Sequence, residues 1–206
     1  MIINKKDAQE VTQILLNINA IKLQPSNFFT WSSGKKSPIY CDNRILLSHV
    51  KERQRIISLL CKSIQKNFKS IDYIAGVATG AIAHGIMVAE SLKKPFIYVR
   101  SKPKKHGRKN QIEGYLKTNK NVIVVEDLIS TGKSSINAID AIKNNGGNVI
   151  GLISIFTYGF FDLNNLNIPY FALSNYSTLI NYAIENKIIT DKEKEILFTW
   201  QAENTN

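Results

Sequence analysis

Between Asn121 and Ser135 the chain reads NVIVVEDLISTGKSS, and the first half of that stretch fits few folds. Val122, Ile123, Val124 and Val125 are consecutive, apolar and mostly β-branched, as in a strand buried on both faces of a parallel sheet. Such a sheet needs helices on each face, and the flanking sequence supplies them. Strands are expected at Ile71 to Ala78, Phe96 to Arg100, Val122 to Asp127, Val149 to Phe156 and Tyr170 to Leu173. Helical patterns lie at Ala81 to Leu92, at Lys133 to Asn145 and in a tail from Ser177 to Trp200 that breaks near Thr190. Two more precede the first strand, at Asp7 to Asn17 and Val50 to Asn67. The alternation predicts an α/β fold with a doubly wound, mainly parallel five-stranded sheet and right-handed crossovers.

Glu126 and Asp127 then fall at the carboxyl end of the central strand, the edge where open α/β sheets bind ligands. Carboxylates accept hydrogen bonds from vicinal hydroxyls. The segment Ile129, Ser130, Thr131, Gly132, Lys133, Ser134 offers backbone N–H groups and a helix N-terminus to an anion. An acid pair beside a phosphate cradle points to a sugar phosphate, with ribose 5-phosphate the natural candidate. Gly132-Lys133-Ser134 imitates a Walker P-loop, but that motif needs a glycine where Asp127 stands. The plain alternative is a strand end and a helix start, since these residue types serve both. Two carboxylates ending a buried strand nevertheless need partners or solvent.

The stretch AGVATGA, Ala75 to Ala81, follows another buried strand and is made of residues small enough for backbone to approach a ligand. Tight helix-against-sheet packing would explain it equally well. From Tyr98 to Gly114 the chain reads YVRSKPKKHGRKNQIEG, crowding Arg100, Lys102, Lys104, Lys105, Arg108 and Lys109 around His106. Pro103, Gly107 and the absence of apolar periodicity predict a loop that an anion would order. A charge run alone reads as a solvated loop or a nucleic-acid patch.

The hydrophobic strand, acid pair, two apolar residues, two hydroxyls and glycine resemble the signature of type I phosphoribosyltransferases, which use 5-phosphoribosyl 1-diphosphate (PRPP). That resemblance implies the type I fold with a small N-terminal hood. It also places the ribose hydroxyls on Glu126 and Asp127, the 5-phosphate on Ser130 through Ser134 with Leu128 and Ile129 in the same PRPP site, and the diphosphate on Val77, Ala78, Thr79 and Gly80, where a cis or strained peptide is common. The pattern R-x-K-x-K-x-H-G followed by N-Q-I-E-G resembles the catalytic loop of orotate phosphoribosyltransferases, particularly those of Gram-positive bacteria. FFTWSSGKKSPIYCDNR, Phe28 to Arg44, resembles their hood. The resemblance implies one domain over residues 1–206, with a hood at 1–48, a PRPP-binding core at 71–175 and a mobile lid at 101–113. It implies Lys104 as the chief catalytic lysine, with Arg100, Lys102 and His106 also on the diphosphate, and Ser130, Arg44, Lys36 and Tyr40 around orotate. Mg2+ would be held by PRPP, water and Asp127, and homodimers would exchange lids. The enterobacterial form departs from this chain, which has Ser32 for a hood lysine, Thr79-Gly80 for a tyrosine-lysine pair, and no arginine in SIFTYGF for the orotate carboxylate. Arg44 is the expected replacement.

The chain's 206 residues suffice for one α/β domain with an appendage. Lys and Arg number 27 against 16 acids, a net +11 that suits anionic substrates. Charge alone would also admit nucleic acid, but no helix pair looks like a helix-turn-helix, and no such partner is expected. Cys41 and Cys61 form no disulfide or zinc pattern. MIINKKDAQE has no h-region, and the apolar stretch Ile74 to Leu92 is interrupted by Gly76, Gly80, His84, Gly85 and Glu90; a cytoplasmic protein without membrane spans is expected. The competing functions are another phosphoribosyltransferase, for adenine or xanthine, and a PRPP-sensing regulator that binds nucleic acid.

Overall fold

A computed structural model describes residues 2, 4–31, 34–103, 110–160 and 167–205. In chain order the elements are α1 (Lys5–Asn17), β1 (Ile21–Leu23), β2 (Phe29–Thr30), β3 (Lys36–Ser37), β4 (Ile39–Cys41) and a 3-10 turn (Asn43–Ser48). They continue as α2 (Val50–Asn67), β5 (Tyr73–Val77), α3 (Ala81–Leu92), β6 (Phe96–Val99), β7 (Ile112–Glu113), β8 (Asn121–Ile129) and α4 (Lys133–Asn144). β9 (Asn148–Thr157), β10 (Tyr170–Asn175), α5 (Tyr176–Glu185) and α6 (Asp191–Asn204) complete the set.

The main sheet runs β10-β9-β8-β5-β6-β7. Its five long strands are parallel, as the apolar runs predict, while β7 pairs antiparallel with β6 through Tyr98↔Glu113 and Val99↔Ile112. The sheet therefore has one more strand than expected, and it is taken from the segment assigned to the lid. Burial explains the difference: Ile112 is 7% exposed, and Gly114, at φ 98°, turns the chain where a Cβ would lie 3.1 Å from Ile97. No periodicity announces a two-residue strand.

Alternate residues of β8 enter different cores. Ile123 and Val125 pack with residues of α1, α2, α5 and α6, whereas Val122 and Val124 pack with Ala138, Ile139 and Ile142 of α4. Strand order reverses between β5 and β8, since α3 carries the chain outward to β6 and α4 carries it the other way to β9. The crevice beyond the carboxyl ends of β5 and β8 is thus the switch point of the sheet.

The N-terminal segment builds two small antiparallel pairs over that crevice. β1 pairs with β4 through Ile21↔Cys41, and β2 pairs with β3 through Phe29↔Ser37. α6 holds them down: the Trp200 indole donates to the Lys36 carbonyl at 3.1 Å, and its ring meets Trp31 edge-on at 6.1 Å. Among the described residues no helix is long and apolar enough to cross a membrane.

Candidate active site

β8 brings Glu126 and Asp127 to the switch point, as its sequence predicts, and continues to Ile129. Glu126 is buried, accepting from the Ser135 hydroxyl and from the Asp127 N–H at 3.2 Å each. Burial, followed by the neighbouring Asp127 charge, pushes the Glu126 carboxyl well above the usual carboxylate range. Asp127 is only partly buried and faces a cavity of about 320 Å³ with Thr79, Gly80, Glu126, Leu128 and Ser134. Gly80 leaves room for that side chain, because a Cβ would fall on the Asp127 carboxylate and displace it. The Ala78–Thr79 peptide is cis.

After Ile129, the exposed Thr131 and αL Gly132, at φ 74°, lead into α4, whose first turn carries the exposed Lys133 and Ser134. A second cavity, of about 300 Å³, is lined by Val77, Ala78, Arg100, Lys102, Lys133 and Ser134. It adjoins the first through Ala78 and Ser134. The Arg100 guanidinium lies 3.5 Å from Glu113 on β7. Lys104 and His106, expected to act with Arg100 and Lys102, lie outside the described residues.

A third cavity, of about 500 Å³, opens under the hood and is lined by Thr30, Trp31, Tyr40, Cys41, Arg44, Leu128, Ser130 and Tyr158. It shares Cys41, Arg44 and Leu128 with the acid-pair cavity. Its character is aromatic: Trp31 and Tyr158 approach at 5.4 Å, and Tyr158 stacks on Phe160 at 5.1 Å with 8° between planes. Such walls suit a planar heterocycle. Of the residues expected around orotate, Ser130, Tyr40 and Arg44 line this cavity. Arg44 is held by Asp42 through bonds of 2.7 and 2.8 Å, which keep the Asp42 carboxyl below its ordinary value. Lys36 does not line the cavity; its ammonium donates to Thr30 Oγ1 at 2.7 Å.

Trp31, Cys41 and Tyr158 were not singled out by sequence reasoning as pocket residues. The segment SIFTYGF, which departs from the enterobacterial form in lacking an arginine, is the one that supplies Tyr158 to the aromatic wall. Burial, Asp127 and Asp42 push the Cys41 thiol up, so it stands there as an uncharged wall. Among the described residues no group of three His, Cys, Asp or Glu side chains could hold a metal ion. The carboxylate of Asp127 is nonetheless a hard oxygen donor of the kind Mg2+ accepts alongside phosphate and water. A larger groove, of about 810 Å³, lies between α2 and α3, lined by Arg53, Ile57, Lys62 and Met87 among others, and includes neither acid.

Three cavities in a row, one aromatic, one carrying the acid pair and one cationic, match a heterocycle, a pentose and anionic substituents. Comparison with known proteins agrees. The phosphoribosyl transferase domain family matches residues 43–162. Orotate phosphoribosyltransferases of Staphylococcus haemolyticus and Staphylococcus saprophyticus are 44% and 46% identical over 198 residues, spanning 94% of this chain and 98% of each relative. The crystal structure of orotate phosphoribosyltransferase from Aeropyrum pernix, 27% identical, superposes with a TM-score of 0.74 and covers 83% of this chain and 96% of that one.

Proposed function

The chain belongs to the orotate phosphoribosyltransferase family, and from that premise we propose that the three cavities are where ribose 5-phosphate passes from PRPP to N1 of orotate. The products are orotidine 5'-monophosphate and pyrophosphate, and the reaction belongs to pyrimidine biosynthesis. The observation that carries the reading is the continuity of the aromatic and acid-pair cavities through Cys41, Arg44 and Leu128. It allows a base under the hood to meet the anomeric carbon of a ribose held by Glu126 and Asp127.

Each set of residues then has a task. Glu126 and Asp127 fix the ribose through its 2- and 3-hydroxyls, while the Ser130 to Ser134 loop and the N-terminus of α4 take the 5-phosphate. Val77 to Gly80 offer backbone to the diphosphate. Trp31 and Tyr158 orient the orotate ring, Ser130 touches its polar edge, and Arg44 supplies a cation for its carboxylate, shared with Asp42. Bond breaking at the anomeric carbon runs ahead of bond making, so the barrier falls chiefly by stabilising the departing diphosphate. Arg100 and Lys102 line the cavity on that side; Lys104 and His106 are assigned to the same charge through the family's loop. Asp127 would hold magnesium together with PRPP oxygens and water, and the ion would neutralise part of the substrate's charge. Closing the lid excludes water that would hydrolyse PRPP.

The test is absorbance loss in the orotate band on mixing protein, PRPP, magnesium and orotate, with adenine, hypoxanthine and uracil in parallel. Consumption of orotate alone is expected; turnover of another base, or of none, overturns the assignment. We also infer a cytoplasmic homodimer in which each lid completes its neighbour's site. Lys104→Ala alone should lose about a hundredfold or more in turnover. Mixing it with Asp127→Asn subunits should restore part of the activity, since one hybrid site receives both intact parts. No recovery would place each lid over its own subunit's site.

A further inference from the structure

Asn43 is a fully buried polar side chain at the start of the 3-10 turn, and it touches three elements at once. Its Nδ2 donates to the Asp127 main-chain carbonyl at 2.7 Å, 84 positions away. Its Oδ1 accepts from the Cys41 thiol at 3.6 Å. Its own carbonyl lies 3.3 Å from Nε2 of His84 on α3. A carbonyl only accepts, so Nε2 carries the hydrogen; in the neutral ring Nδ1 is then a bare acceptor, and it finds no partner among the described residues. His84 is fully buried, and burial lowers its basicity, which keeps that neutral form at physiological pH. An orphaned buried nitrogen carries a cost, yet the ring sits where it fixes Asn43.

We propose that Asn43 is a positioning residue for Asp127, aimed by His84, and that it sets how well the acid pair receives the ribose of PRPP. This rests on the reading of Glu126 and Asp127 as the ribose site. The base cavity depends less on Asn43, because its wall residue Cys41 meets the Asn43 amide only through a long thiol contact of 3.6 Å, while the β1–β4 ladder holds the hood walls and Asp42 holds Arg44. Loss of the Asn43 amide should therefore act on PRPP and spare orotate.

Asn43→Ala is expected to raise the PRPP KM about tenfold or more, the scale of one buried hydrogen bond lost with its acceptor left unsatisfied, with the orotate KM changed by less than about twofold. Asn43→Ser, too short to reach Asp127, should behave alike and serves if the alanine variant does not fold. His84→Gln keeps an N–H for the Asn43 carbonyl and should stay near wild type, whereas His84→Phe should follow Asn43→Ala. All are measured well below their unfolding midpoints, with PRPP titration calorimetry as a readout independent of turnover. An unchanged PRPP KM in the folded Asn43 variants, an equal rise in both KM values, or identical losses in His84→Gln and His84→Phe overturns the proposal. A wild-type protein that consumes no orotate instead removes the functional reading beneath it.

Discussion

Glu126 and Asp127 are adjacent in sequence and line one cavity but differ in surroundings: the first is buried against Ser135, the second only partly buried. The folded-state pKa of Glu126 is raised, so between the unfolded carboxyl's value, about 4.3, and that higher value the folded protein keeps a proton the unfolded chain has released. Stability therefore falls as pH rises through this window. Glu126→Gln removes the cost of holding that proton and should raise the thermal midpoint at about pH 8 while leaving it nearly unchanged at about pH 4. Equal gains at both would contradict the assigned protonation. The same substitution should weaken PRPP binding, because an amide replaces a ribose-binding carboxyl. Tyr158 shows how a residue can be visible yet its role hidden: the sequence displays it in SIFTYGF, but only the fold reveals that it walls the base cavity.

At the level of elements, what was legible depended on how local the signal is. β8, its acids, the hydroxyl loop and α4 are consecutive, so one stretch of fifteen residues, Asn121 to Ser135, discloses strand, ligand groups and anion cradle together. The hood's attachment is the opposite case: Trp200 reaches Lys36 across 164 positions, and no period encodes such a bond. β7 escaped because two residues hold no repeat. Two glycines separate binding from folding in an experiment. Gly80→Ala would push a methyl group onto the Asp127 carboxylate, a movable side-chain end, so PRPP affinity should fall more than tenfold while the thermal midpoint changes little. Gly151→Ala would drive a methyl group into the Phe68 ring within the core, and should cost about 1–3 kcal/mol of stability with KM values preserved. Thermal unfolding and steady-state kinetics on both variants check the contrast; a Gly80→Ala protein with normal PRPP affinity contradicts the account of that loop.

Across the whole molecule, the doubly wound sheet makes a crevice at the reversal between β5 and β8, and the N-terminal segment and α6 convert its outer part into an aromatic pocket. The net charge of +11 draws anions to it, and part of that charge comes from the loop where Lys104 and His106 lie. The most direct test is a crystal structure with orotidine 5'-monophosphate bound. The pyrimidine is expected against the wall formed by Trp31 and Tyr158 with its carboxylate toward Arg44, the ribose hydroxyls on Glu126 and Asp127, and the phosphate in the Ser130 to Ser134 loop. A nucleotide bound in the groove between α2 and α3, or lying reversed with its phosphate under the hood, would contradict it.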